Sequence, residues 1–244
     1  VIYLIDADSS LPNLALMRLS SYFKQRGEGV RLVARPHRRE LWDPPGKVFG
    51  SSIFKFAATI RARIEREWGA VRWGGTGVRD ESSLDEIDSG VDWEAMPLDW
   101  SLYPDDVRSI GFTQRGCRLR CKFCVVPKKE GKARSVHTIA EIYRGEPHAR
   151  KIMLLDNDFF GQPRDQWSAR VDELITGEFR VAFCQGINIR MVDDEAAAAL
   201  ARLEYRDNEF QERRLYTAWD NLGDERVFKA GVSPCAAPAC RRNT

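Results

Sequence analysis

Cys117, Arg118, Leu119, Arg120, Cys121, Lys122, Phe123 and Cys124 set three thiols at C-x3-C-x2-C spacing, directly after Gly116. Cysteine thiolates hold iron-sulfur clusters, and a 4Fe-4S cube normally takes four of them. Three ligands this close together leave one iron open to a small chelating molecule, which points to a reactive cluster more than to an electron wire. Zinc is the competing chemistry, because the three thiols with a remote Cys184 or His137 would make a closed structural site. Such sites usually carry paired C-x2-C knuckles, and this chain has one. A disulfide framework is the weakest reading, since six cysteines spread over 244 residues without a signal peptide do not resemble a small secreted scaffold.

The charge pattern bears on the same stretch. With 38 basic and 36 acidic residues the formal net charge is +2, so no global field points to nucleic acid or to a membrane. Locally the balance is lopsided: residues 115–134 hold eight Lys or Arg against one acid, Glu130. Thiolate ligands and a bound carboxylate would both be stabilised there, although a solvated basic loop is the commoner origin of such a run. No apolar run approaches the about 20 residues of a membrane helix, and the expectation is a soluble, cytoplasmic protein.

The elements that must position the thiols read as alternating strands and helices. Residues 1–6 are an apolar run ending in Asp6, residues 13–26 carry Leu16, Leu19 and Phe23 on one helical face, and residues 30–34 form a second strand. A Pro-rich loop follows over 35–46, then a strand over 47–56, a helix over 57–68 with Ile60, Ile64 and Trp68 on one side, and a short strand over 70–73. This order predicts a Rossmann-like doubly wound domain over 1–78. The turn Gly74, Gly75, Thr76, Gly77 lacks both the G-x-G-x-x-G and the Walker pattern and reads as a plain turn. Residues 79–106 are acidic, irregular and read as a linker.

From 107 to 231 the alternation resumes. Strands are expected over 109–114, 151–155, 180–184 and 214–218, with helices over 137–144, 165–176 and 194–204, the last capped by Asp193. Each strand is followed by polar residues, as where a βα barrel gathers its active site at the carboxyl ends of its strands. Cys184 reads as a core thiol, and residues 232–244 as an irregular tail holding Cys235 and Cys240.

At this point the chain resembles the radical S-adenosylmethionine (SAM) superfamily, whose signature is this cysteine spacing with an aromatic residue before the last cysteine, the place of Phe123. The resemblance implies a partial (βα) barrel behind a cobalamin-binding-like domain. It further implies that Cys117, Cys121 and Cys124 hold a 4Fe-4S cluster, and that the amino and carboxylate groups of SAM chelate the fourth iron. Asp156 and Asn157 stand where the family holds the SAM amino group, though without its Gly-Gly-Glu form. Arg190 and Asp220, at the next two strand ends, are the next expected contacts: the Arg fork to a carboxylate, and Asp220 or the neighbouring Asn221 to ribose hydroxyls. A small electron donor such as flavodoxin or ferredoxin is the implied partner, and the substrate is open. The loop Asp6 to Pro12 lacks the histidine of the family's Asp-x-His-x-x-Gly, which speaks against cobalamin held through an axial ligand and leaves open cobalamin bound without one.

The family barrel would need two more strands than this chain supplies. The expectation is therefore a truncated or shortened member whose open barrel edge a partner chain or a second copy would cover. Two rival functions stand beside the enzyme: a zinc-stabilised module binding nucleic acid through the basic run, and a catalytically inactive homologue of the same fold.

Overall fold

The structure is a computed structural model that describes the chain apart from residues 34, 36, 37, 41–43, 45, 80–82, 120, 218–222, 224, 227 and 230–244. It is a mixed α/β fold in two compact units, residues 1–106 and 107–244. The expected strand end at Ala218 and the expected contacts Asp220 and Asn221, like Cys235 and Cys240 of the tail, lie outside the described residues.

In the first unit, strands β1 (Ile2–Asp6), β2 (Val30–Val33), β3 (Lys47–Ser51) and β4 (Arg72–Gly74) form one parallel sheet in the order β2-β1-β3-β4. Side chains alternate across a strand, so β1 feeds two cores. Ile2 and Leu4 pack with Leu16, Leu19 and Phe23 of helix α1 (Leu14–Lys24), while Tyr3 and Ile5 pack with Ile64 and Trp68 of helix α2 (Ala58–Trp68). Helix α1 starts where Asn13 accepts the Leu16 amide through its side chain at 3.2 Å.

Two expectations need correction here. Strand β3 ends at Ser51, well short of residue 56, because the Asp8 carboxylate takes the next amides: Ile53 N donates to Oδ1 at 2.8 Å and Phe54 N to Oδ2 at 2.9 Å. Nor is the 79–106 stretch a tether. Trp93 is buried in the α1 core with Leu84, Ile87, Val91, Met96 and Leu102 packed around it, and Arg18 pairs with Glu94 at 2.9 Å. Its lack of apolar period hid a scattered set of anchors that closes one face of the sheet.

The second unit is built on strands β5 (Ser109–Gly111), β8 (Lys151–Leu154), β9 (Arg180–Phe183) and β10 (Glu204–Arg206), all parallel, in the order β10-β9-β8-β5. Each of these strands therefore lies beside the next one along the chain. Ile152, Leu154, Val181 and Phe183 share one face and pack there with helices α4 (Ile139–Ile142), α5 (Arg164–Thr176) and α6 (Asp194–Arg202). Asp193 caps α6 as expected, its Oδ1 accepting the Ala196 amide at 2.8 Å.

The fourth strand is not 214–218. Helix α6 ends at Arg202, Leu203 turns extended into the core, and residues 204–206 pair at once with 180–182. Of the expected strand, Thr217 forms only a bridge to Ile187. The expected strand 109–114 is also divided: after β5, residues Gln114–Arg115 (β6) turn away and pair antiparallel with Arg134–Ser135 (β7). The intervening residues contain the three cysteines and a short helix α3 (Val126–Lys129).

Leu154 is fully buried on an interior strand, so Leu154→Ala should cost about 2–5 kcal/mol. Phe56→Ala, at a side chain 78% exposed, should cost less than about 0.5 kcal/mol. Urea unfolding midpoints of the two variants check the pair, and a Leu154→Ala midpoint equal to wild type would contradict this packing.

Candidate functional site

The cysteine loop begins where Asp156 intervenes. Up to Gly111 the backbone of β5 serves the ladder, and its carbonyl accepts the Leu155 amide at 2.9 Å. One residue further along β8's strand the acceptor is a side chain: Asp156 Oδ1 takes the amides of Thr113 at 2.7 Å and Gln114 at 3.1 Å, and Oδ2 takes the Thr113 hydroxyl. The chain is thus drawn off the sheet into the β6–β7 ribbon. Gln114 secures the same turn, its Nε2 donating to the Arg115 and Gly116 carbonyls and its Oε1 accepting the Asp158 amide at 3.0 Å.

Gly116 then takes φ = +76°, where a Cβ would stand 2.2 Å from the Lys132 carbonyl oxygen. No other residue type fits that close approach without displacing backbone. Across the ribbon, Glu130 ties the loop shut. Its Oε2 accepts the Gly116 amide at 2.9 Å and Asn157 Nδ2 at 2.8 Å, and its Oε1 pairs with Arg115 at 3.1 Å. The Cys117 amide donates to the Gly131 carbonyl at 3.2 Å and the Cys124 amide to Cys121 at 3.0 Å.

The three thiols are half-buried on this loop, and the Phe123 ring between the last two is 76% exposed. Burial chiefly pushes the Cys117 thiol up. The Leu119 amide on its sulfur opposes this, while the charges of Asp158, Cys124 and Cys121 add to it. Among the described residues no three His, Cys, Asp or Glu side chains are gathered at metal-ligating separations, which holds for Cys117, Cys121 and Cys124 themselves as well as for any set that adds Cys184 or His137. Cys184, at the end of β9, is half-buried, with burial raising its thiol and Arg108 and Glu209 as its charged neighbours. The loop supplies three thiols with basic residues around them in sequence, and in this structure the thiols stand apart from one another.

The expected cofactor contacts divide. Asp156 and Asn157 do reach the loop, but Asp156 is 4% exposed with both oxygens already accepting protein donors, while Asn157 is only partly buried. Arg190 lies in the turn Ile189–Met191 beyond β9, its amide held by Asn188 Oδ1 at 3.2 Å. Asn188 also donates to Asp158 Oδ1 at 3.1 Å, and Arg118 of the cysteine loop stands 3.4 Å from Asp158 Oδ2, an ion pair without hydrogen-bond geometry. Arg118 further reaches the Met191 sulfur. The carboxyl ends of β8 and β9 are thereby joined to the loop through Asp158, whose carboxyl burial raises against the pull of Asn188 and Arg118.

Glu130 and Gln114 were not singled out in the sequence. The signal for Glu130 was present, as the one acid inside the basic run. No signal marked Gln114.

No family model and no curated protein matches the chain.

Two outcomes test this wiring. Glu130→Ala removes three partners, and with charged hydrogen bonds contributing about 1.5–3 kcal/mol each, amides of residues 116–133 should exchange at least about tenfold faster while β8 and β9 stay protected. Burial raises the Asp156 carboxyl from 3.8 to about 7, against its hydrogen bonds from Thr113 and Gln114 and the charge of Arg115. The folded state then holds the extra proton between those values, so its contribution to stability is complete below about pH 4, falls as pH rises through about 7 and levels off above. Asp156→Asn should flatten that decline in urea midpoints; an unchanged slope would show that another group carries it.

Proposed function

We propose that the protein is a radical SAM iron-sulfur enzyme, reductively cleaving S-adenosylmethionine to a 5'-deoxyadenosyl radical that acts on a substrate yet to be identified. The observation that carries this reading is the placement of the C-x3-C-x2-C loop. It leaves the carboxyl end of the first strand of a parallel sheet whose strands follow chain order, with three helices packed on one face. That succession accords with a partial (βα) barrel, in which strand ends on one rim converge on the site. The first unit, with its parallel order β2-β1-β3-β4, accords with a Rossmann-like domain.

In this reading Cys117, Cys121 and Cys124 hold the 4Fe-4S cluster, which, when bound, supplies the electron and the open iron for SAM. The chain's own part is positional. Glu130 and Gly116 fix where the loop leaves the ribbon, and Arg118 ties it to Asp158. Asn157, beside Glu130, is the better placed of the expected pair to meet an ammonium through its amide oxygen, since Asp156 is taken up by Thr113 and Gln114. Arg190 would face a carboxylate as a planar fork. The second sheet has β5 and β10 at its edges among the described residues, so a partner chain or second copy would cover an open rim.

Anaerobic reconstitution with iron and sulfide should load about four irons per chain, and SAM with a strong reductant should then release 5'-deoxyadenosine. Replacing Cys117, Cys121 or Cys124 by Ala should abolish both. About one zinc per chain with no iron uptake would sink the proposal in favour of a zinc module, and a full cluster without SAM cleavage would reduce it to the inactive homologue.

A further inference from the structure

The first unit has a cleft of its own, with a volume of about 440 Å³, at the carboxyl ends of β1 and β2. Its floor is Asp6, the last residue of the central strand, and its sides are the turn Ser9 to Pro12, Leu32 and Val33 of β2, Arg35, and the segment from Leu102 to Asp106. Ligands of open parallel sheets sit outside the carboxyl ends of the strands, in pockets of a few hundred Å³ with mostly apolar walls and a few polar groups.

The polar groups restrict what could enter. Asp6 accepts the Ser9 amide through Oδ1 at 2.9 Å and the Tyr103 hydroxyl through Oδ2 at 3.5 Å. Burial raises the Asp6 carboxyl to about 6 against the Ser9 and Asp8 amides and the charge of Arg35, so it remains an acceptor at neutral pH; burial with the charge of Asp6 raises the Tyr103 phenol against the Asn13 amide and Arg35, and it keeps its proton. Carboxylate and phenol thus stand side by side on the wall, an acceptor next to a hydroxyl that both donates and accepts. Leu11, Leu32 and Leu102 supply apolar surface around them.

Anions are disfavoured. Three carboxylates, Asp6, Asp105 and Asp106, line the cleft against the single guanidinium of Arg35. The turn from Asp6 to Asn13 contains no glycine to admit a phosphate close to the backbone, Pro12 has no N–H, and Asn13 already takes the Leu16 amide at the start of α1.

We infer that this cleft binds an uncharged ligand presenting vicinal hydroxyls beside an apolar ring face, with the hydroxyls on the Asp6 and Tyr103 pair. A nucleoside and a pyranoside share that chemistry, and the volume admits either.

Calorimetric titration of the full chain with adenosine, with methyl glucoside, with adenosine monophosphate and with the corresponding dideoxynucleoside decides the matter. Saturable binding of adenosine or of the glucoside is expected, the responding arm naming the source. Binding of the responding ligand should weaken at least about tenfold in Asp6→Asn, which keeps the side-chain shape and an oxygen for Ser9, and more mildly in Tyr103→Phe. For a nucleoside, loss of the two hydroxyls or addition of the phosphate should weaken binding likewise. No binding by adenosine or glucoside, equal binding by adenosine and the dideoxynucleoside, tighter binding of the monophosphate, or indifference to Asp6→Asn in a folded protein would each overturn the inference. None of these readouts depends on the cysteine loop.

Discussion

The capture of two backbone amides by one buried carboxylate sets the course of the second unit. Asp156 sits where the β8 strand would continue its ladder with β5, and it offers side-chain oxygens to Thr113 and Gln114 in place of the backbone. Side-chain oxygens stand where backbone acceptors would have continued the ladder, so β5 stops at Gly111 and the chain leaves the sheet. The ribbon, the position of Gly116 and the exit of the cysteine loop follow from that departure. The cost is equally visible: burial holds the Asp156 carboxyl near 7, so its hydrogen bonds do not fully offset the loss of water.

Once the chain is outside the sheet, a loop rich in Lys and Arg around three thiols has little apolar surface with which to fold itself. Its order comes from charged side chains at its two ends. Glu130 binds the Gly116 amide, Arg115 and Asn157, and Arg118 reaches Asp158 and Met191. These ties join the loop to residues following β8 and β9 and leave the thiols half-exposed between them.

The sequence was most legible where apolar period and burial coincide. The strands at 2–6, 151–154 and 180–183 and the helices at 14–24, 164–176 and 194–202 lie close to where alternation and helical stripes place them. Legibility failed where side chains compete for the backbone. Nothing in the pattern of residues 109–114 tells that an Asp more than forty residues later will divide the strand, and nothing in residues 47–56 reveals that Asp8 waits for the amides of Ile53 and Phe54. Trp93 and the partly buried Leu84, Ile87, Val91, Met96 and Leu102 anchor the 79–106 stretch at irregular spacing, which leaves no periodic trace. In the candidate site, the cysteine spacing was plain because it is a local pattern within residues 117–124. Gln114 was not, because its role is defined only by the carbonyls and the amide that fold around it.

The same device recurs in both units, with different energetics. Asp8 ends β3 by accepting Ile53 N, Phe54 N and the Ser52 hydroxyl, and Asp156 ends β5 by accepting two amides and the Thr113 hydroxyl. Asp8 is only half-buried, so water continues to solvate its charge and the turn can be formed at little cost. Asp156 is enclosed, and its carboxyl is served by three protein hydrogen bonds and the charge of Arg115 in place of water. A buried carboxyl held this way tolerates little displacement, since losing any one donor leaves a buried oxygen short of a partner at a cost of about 1–3 kcal/mol. That stringency fixes the start of the cysteine loop more firmly than a solvated turn could. A strand end held in this way gives the second unit a rigid point from which an otherwise weakly packed, highly charged loop can be presented.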